Sequence, residues 1–262
     1  MNSPGAPATI RVDDRVIDGR CGESLLDVLT RNGFEVPSLC HVPGIEPYGA
    51  CRLCLVEIHK GKRRMITTSC NYPVEPGLEV HLDTPGVQSH RRTVLGLLLS
   101  LAPGSTRLCE LAERYGVTGS PYSPPPSGKR FPDCILCGLC VRVCREVVGA
   151  DVLAWAGRGR DKHVERRPFG GFPAACIGCG ACAFVCPTGA ISMEPAWTAR
   201  QRGRWGHERP CRYSLMDLVP GATCENDYRC DRCEVDQRMV DRAHPRHPVF
   251  LARGQLRGGK RR

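Results

Sequence analysis

Cys134-Ile135-Leu136-Cys137-Gly138-Leu139-Cys140-Val141-Arg142-Val143-Cys144 and Cys176-Ile177-Gly178-Cys179-Gly180-Ala181-Cys182-Ala183-Phe184-Val185-Cys186-Pro187 carry one spacing, C-x2-C-x2-C-x3-C, twice. Three thiolates this close together can wrap one set of irons, while the fourth lies too far round the turn to join them. In the two-cluster pattern the fourth ligand therefore crosses over. Cys134, Cys137, Cys140 and Cys186 are expected to hold one 4Fe-4S cluster, and Cys176, Cys179, Cys182 and Cys144 the other. Gly138, Gly178 and Gly180 would let backbone amides approach the cluster sulfurs closely. A pair of zinc ribbons is the competing reading. It needs only two C-x2-C pairs and gives no reason for the x3 fourth cysteine.

Toward the N-terminus, Cys40, Cys51, Cys54 and Cys70 form a second set, C-x10-C-x2-C-x15-C, with Gly49 beside the central pair. Its surroundings read as a small mixed sheet. Ile10 and Val12 precede an Asp13-Asp14 turn and Val16 and Ile17 follow it, as in a hairpin. A helix is predicted from Ser24, a candidate N-cap, to Gly33, a candidate C-cap. Strand-like runs follow at 55–58, 65–68 and 78–82. This is the element content of a β-grasp domain, and the cysteine spacing is similar to the plant-type 2Fe-2S arrangement with a longer first loop. Zinc remains the rival, because one C-x2-C with two distant thiols is ambiguous.

After this segment the apolar spacing predicts helices over 87–101 and 108–115, and the proline-rich stretch 121–128 reads as a linker. Beyond Trp197 the composition turns Arg-rich. There Cys211, Cys224, Cys230 and Cys233, spaced C-x12-C-x5-C-x2-C, suit structural zinc or a further 4Fe-4S cluster. The three sets use all of the 18 cysteines except Cys21 and Cys109.

Composition agrees with a metal-stabilised chain. Aromatic residues make up only 6% of the 262 residues, against 29 Gly and 22 Pro, so much of the backbone is turn that buries little apolar surface. Metal binding can replace the missing core, since its free energy is also folding free energy. Residues 1–14 lack the basic and apolar segments of a signal peptide, and the longest apolar patch, near 94–101, is too short to span a membrane. A reducing cytoplasm is the expected location, where clustered cysteines mean metal or redox chemistry. Export within a complex whose signal lies on another subunit is the alternative. The formal charge of +10 counts every cysteine as neutral. Three clusters at about two negative charges each would leave roughly +4, so the basic tail Gly258-Gly259-Lys260-Arg261-Arg262 reads as a solvated end.

The order of the sets resembles the N-terminal half of the large iron-sulfur subunit of complex I. It also resembles the diaphorase-linked small subunit of NAD-reducing hydrogenases, and the front end of iron-only hydrogenases and formate dehydrogenases. Pro37-Ser38-Leu39-Cys40, Gly49-Ala50-Cys51-Arg52-Leu53-Cys54, the Cys134 to Cys144 run, and Gly157-Arg158-Gly159 ahead of Cys176 to Ile191 carry the resemblance, which covers roughly residues 8–195. One departure stands out. Members of that family usually carry a 4Fe-4S site with one histidine and three cysteines, in a stretch like H-P-x-D-C-x-x-C-x5-C-E-L. This chain reads Leu101-Ala102-Pro103-Gly104-Ser105-Thr106-Arg107-Leu108-Cys109-Glu110-Leu111, with Ala102 where the histidine would stand and only Cys109 left. His90 falls on the wrong side of the helix to replace it. No cluster is expected there, and Cys109 is expected to be a small buried residue.

The expected fold is α+β: a β-grasp 2Fe-2S ferredoxin domain (8–84), a helical linker (85–130), a bacterial-type two-cluster 4Fe-4S ferredoxin domain (131–196) and a small four-cysteine C-terminal element (197–262). The chain contains no G-x-G-x-x-G, phosphate loop, H-E-x-x-H or nucleophile context, and the catalytic domains that follow such modules elsewhere are not expected before Arg262. The resemblance implies a wiring subunit in a hetero-oligomer, passing electrons between a flavin/NAD(P)-binding subunit and a hydrogenase, formate dehydrogenase or related catalytic subunit. Two rivals are a self-contained reductase with a low-pKa thiol at Cys230 or Cys233, and a metal-stabilised protein that binds nucleic acid through its basic tail.

Overall fold

The computed structural model describes residues 5–122, 131–167, 176, 180–191, 210–215, 219–226 and 233–241. The described residues form two compact units. The first takes in those up to 122 together with Pro132–Cys137, and the second takes in residue 131 and those from 138 onward. Cys179, Cys230, Gly178, most of the proline-rich stretch and the basic tail lie outside the described residues.

In the first unit, β1 (Pro7–Val12) and β2 (Arg15–Arg20) pair antiparallel, with Val12 opposite Arg15 across the Asp13-Asp14 turn. Asp13 takes a left-handed φ of 48°, which a short polar side chain tolerates. β3 (Leu55–Lys60) and β4 (Arg63–Thr68) form a second antiparallel pair. The three-residue β5 (Glu79–His81) runs between the two pairs, parallel to β1 and antiparallel to β3, giving the order β2-β1-β5-β3-β4. α1 (Leu25–Arg31) packs Leu25, Val28 and Leu29 on Ile10, Val12, Ile58 and Val80. That is the β-grasp arrangement expected from the strand pattern.

Ser24 stands at the N-cap position of α1, but its hydroxyl makes no capping bond. Tertiary pairing has replaced the cap: Ser24 bridges Pro73, and the Leu25 N–H donates to the Tyr72 carbonyl. The start of α1 is thereby tied to the loop that follows Cys70.

α2 (Pro85–Leu101) begins two residues before the first apolar position, because the Thr84 hydroxyl accepts from the Val87 N–H at 3.3 Å and Pro85 needs no donor in the first turn. α3 (Thr106–Arg114) follows it. Arg91 of α2 is buried, with Nη2 donating to the Leu55 carbonyl at 2.6 Å and Nε directed at the Leu53 carbonyl at 3.4 Å. Leu53 and Leu55 flank Cys54, so this one side chain fastens the helix to a cysteine loop.

In the second unit α4 (Leu139–Arg142) runs on through a wider turn at Val143–Val147. β6 (Leu153–Ala156) and β7 (His163–Arg166) form an antiparallel hairpin that the apolar pattern did not reveal, and α5 (Ala181–Phe184) carries Cys182 of the second cysteine run. The hairpin turn uses Gly157, where a Cβ would meet the Asp161 carbonyl oxygen at 2.3 Å. Short helices occur at Arg212–Leu215 and Glu234–Asp241. Among the described residues no helix is long and apolar enough to cross a membrane.

Candidate metal centres

Cys40, Cys51, Cys54 and Cys70 come together in the first unit, all of them buried. They arrive from separate places: the loops before β3 supply three, and the single turn of 3-10 helix after β4, Ser69–Asn71, supplies Cys70. Backbone amides point at the sulfurs. The Leu39 N–H donates to Cys51 Sγ at 3.4 Å and the Cys51 N–H to Cys40 Sγ at 3.3 Å. Arg52 (φ 55°) and Gly49 (φ 67°) are left-handed, which curls the loop around the thiols. A Cβ on Gly49 would also come within 3.1 Å of the Asn71 side chain.

The thiols share protons in two pairs. The hydrogen bond from Cys40, aided by the amides of Leu39 and Leu53, pulls Cys51 down to about 6 against its burial, while that same bond pushes Cys40 up. Cys70 likewise lowers Cys54 and is itself raised. Four buried thiols brought together, with backbone amides donating to their sulfurs, fit a cluster that needs four thiolates.

In the second unit Gly138 and Gly180 open α4 and α5 with nearly the same backbone, φ 73° and ψ 4° against φ 72° and ψ 0°. The spacing repeat is thus a conformational repeat, and each glycine sits where a left-handed turn reverses the chain before the third cysteine of its run. Gly138 has a further reason to lack a side chain, since a Cβ would meet the Trp155 ring at 2.9 Å.

Cys144 is buried and packs in one cluster with Cys176 and Cys182. Burial pushes its thiol up, the amides of Val152 and Leu153 pull it down, and the neighbouring Cys176 and Asp151 raise it again. Three members of the expected crossover quartet therefore lie together, with Cys140 of the other quartet in the same cluster, and the fourth, Cys179, is outside the described residues. Cys134 and Cys137 belong to the first unit, Cys140 and Cys186 to the second. Leu136, between Cys134 and Cys137, is left-handed at φ 57°. The β6-β7 hairpin that supports Cys144 carries no cysteine, so cysteine spacing alone gave no signal for it.

At the stretch that departs from the family pattern, Ala102 is fully buried at the C-cap of α2. Cys109 is half-buried rather than buried, and its Sγ donates to the Pro103 carbonyl at 3.6 Å. Asp133, itself left-handed at φ 57°, accepts from the Gly104 N–H at 2.7 Å. Asp133 thus occupies the turn between α2 and α3. His90 is turned back on its own helix, Nδ1 lying 2.6 Å from the Gly86 carbonyl.

Residues 5–85 match a 2Fe-2S iron-sulfur cluster binding domain, and residues 172–192 match a 4Fe-4S binding domain. Among solved structures, a chain of the NAD+-reducing nickel-iron hydrogenase in the H2-reduced state is 30% identical, with a TM-score of 0.55, over 61% of this chain and 75% of that one. The chain belongs to this family of iron-sulfur electron-transfer proteins. Its curated relatives include the mitochondrial NADH-ubiquinone oxidoreductase 78 kDa subunit of Candida albicans, 28% identical over 61% of this chain and 25% of the relative. The NADP-reducing hydrogenase subunit HndD of Solidesulfovibrio fructosivorans is 31% identical over 58% of this chain and 30% of its own length. The putative formate dehydrogenase YrhE of Bacillus subtilis is 31% identical over 53% and 16%. The chain spans less than a third of each of these curated relatives.

The C-terminal cysteines of this family member are also drawn together. Cys211 and Cys224 are buried and Cys233 is half-buried. Burial raises the Cys211 thiol, the Tyr213 and Ser214 amides at the start of Arg212–Leu215 lower it, and Cys224 and Cys233 add to the rise. Cys211 packs with Tyr213 and Met239, and the Tyr213 hydroxyl donates to the buried Asp236 carboxylate at 2.5 Å. Cys230 lies outside the described residues.

Proposed function

We propose that the chain is a wiring subunit of a multi-subunit oxidoreductase, carrying single electrons between a flavin/NAD(P) module and a hydrogenase, formate dehydrogenase or related catalytic subunit in the cytoplasm. The observation that carries this reading is the four-thiol pocket of the β-grasp unit, fully buried and ringed by amide donors. Iron-sulfur clusters, when bound, supply reversible one-electron transfer and no substrate chemistry.

The ligand assignment follows the spacing and is supported by the packing. Cys40, Cys51, Cys54 and Cys70 would hold 2Fe-2S. Cys134, Cys137, Cys140 and Cys186 would hold one 4Fe-4S cluster, and Cys144, Cys176, Cys179 and Cys182 a second, the closeness of Cys144 to Cys176 favouring the crossover. Cys211, Cys224, Cys230 and Cys233 would hold a further metal, zinc or 4Fe-4S. The functional divisions are 8–84, 85–130, 131–196 and 197–262. Around the sulfurs the protein supplies amide donors that tune potential and a buried shell that keeps water off. Ala102, with Asp133 filling the adjoining turn, supports the absence of a histidine-ligated cluster near Cys109.

The test is the anaerobically purified chain itself. It should accept electrons from dithionite and bleach in the visible, yet by itself oxidise neither NADH, H2 nor formate. Turnover of any of those substrates by the flavin-free chain would sink the proposal.

A further inference from the structure

The open face of the β-grasp sheet carries a second constellation, far in chemistry from the cysteines. Val12, Ile58 and Val80 are buried under α1, and strand alternation turns their neighbours to the other face. In register, His59 stands opposite Glu79 and Glu57 opposite His81, with Arg11 beside Glu79 on β1. The His59 and His81 rings are 4.5 Å apart between centroids and tilted by 51°. One donor atom from each of His59, His81 and Glu79 falls within 4.8 Å of the others.

We infer that His59, His81 and Glu79 form a binding site for a borderline divalent cation, zinc first, on the face of the sheet opposite α1. Nitrogen and oxygen donors in tetrahedral zinc sites lie at about 2.0–2.2 Å from the metal, hence roughly 3.4 Å from one another. The three side chains need to close by only ~1.5 Å, which rotation of half-exposed groups supplies. The outer ring of partners is also in place. His59 Nε2 is 2.9 Å from Glu57 Oε1, and His81 Nδ1 is 3.7 Å from Asp13 Oδ1. Those carboxylates are themselves held, Glu57 by the Thr84 hydroxyl at 2.7 Å and Asp13 by the Leu82 N–H at 3.2 Å.

The Glu57 carboxylate on Nε2 of His59 orients that ring and raises the basicity of its other nitrogen. It leaves Nδ1 of His59 to face the metal. The opposing charge is Arg11, whose Nε lies 3.8 Å from Glu79 Oε1. Both side chains are largely exposed, and the pair is too long and too solvated to block a cation. A bound ion would join β3 to the three-residue β5, the shortest strand of the sheet.

The test uses the full chain with its clusters in place, dialysed to equilibrium against buffered zinc. The wild type should take up one zinc more per chain than the His59→Ala/His81→Ala variant. X-ray absorption of the added zinc should show a nitrogen and oxygen shell near 2.0 Å with imidazole scattering, rather than sulfur near 2.3 Å. Glu57→Gln should keep the stoichiometry but weaken binding ~10-fold or more. An unchanged 2Fe-2S spectrum in each variant is the folding control, and Glu79→Gln provides a single substitution at an exposed position should the double variant lose it. Equal zinc uptake by wild type and the His59→Ala/His81→Ala and Glu79→Gln variants, or a sulfur-only shell, overturns the site.

Discussion

Replacing Arg91 with Met should loosen the 2Fe-2S site without touching a single cysteine. Methionine fills most of the guanidinium's volume but cannot donate to the Leu55 carbonyl at 2.6 Å or the Leu53 carbonyl at 3.4 Å. The first bond is short and charge-assisted, worth about 1.5–3 kcal/mol, whereas the second is too long to add much. Relief from desolvating a buried cation offsets part of the loss. A net destabilisation of about 2 kcal/mol remains, concentrated on the loop that carries Cys54. If cluster loss proceeds through local opening that is fast to reclose, the chelation rate follows the opening free energy, and about 2 kcal/mol corresponds to roughly 30-fold. The assay follows bleaching of the 2Fe-2S visible circular dichroism under an iron chelator. The 4Fe-4S signals serve as an internal control, because the partners described for Arg91, Leu53, Leu55 and Tyr115, all belong to the first unit. A rate within about 3-fold of wild type would refute the role given to Arg91. Equal acceleration of 4Fe-4S loss would show that the effect is global rather than local.

Cys51→Ser should remove one axial low-temperature EPR signal and leave both 4Fe-4S signals; loss of a 4Fe-4S signal instead would show that the ligand sets are misassigned. Iron and zinc analysis of anaerobic protein should give about ten irons for one 2Fe-2S and two 4Fe-4S sites, rising to about fourteen, or gaining about one zinc, with the metal at Cys211, Cys224, Cys230 and Cys233. Cys230→Ala should lose that extra metal and Cys109→Ala should lose none, and four irons lost from the latter would restore a cluster near Cys109. Gly138→Ala should cost about 1 kcal/mol from its left-handed backbone alone, and more from the Trp155 ring at 2.9 Å. Chemical denaturation of the double variant with Trp155→Leu should recover the second part only, and full recovery would contradict the backbone argument.

The cysteine sets, the β-grasp element order and the family were legible in the chain because each depends on local spacing. The three-cysteine runs sit at short fixed intervals, and strands alternate with a period of two. Tertiary structure decided what spacing does not encode. Ser24 satisfies the N-cap rule, yet its hydroxyl leaves α1 uncapped because pairing with Pro73 and Tyr72 supersedes it. The β6-β7 hairpin gave too few alternating residues to be read, though its backbone amides reach Cys144. His59 lies far along the chain from Glu79 and His81, and the three gave no motif, since only the register of β3 on β5 brings their donor atoms within 4.8 Å. A site whose ligands come from one loop is written in sequence, and a site assembled across strands exists only once the sheet has chosen its register.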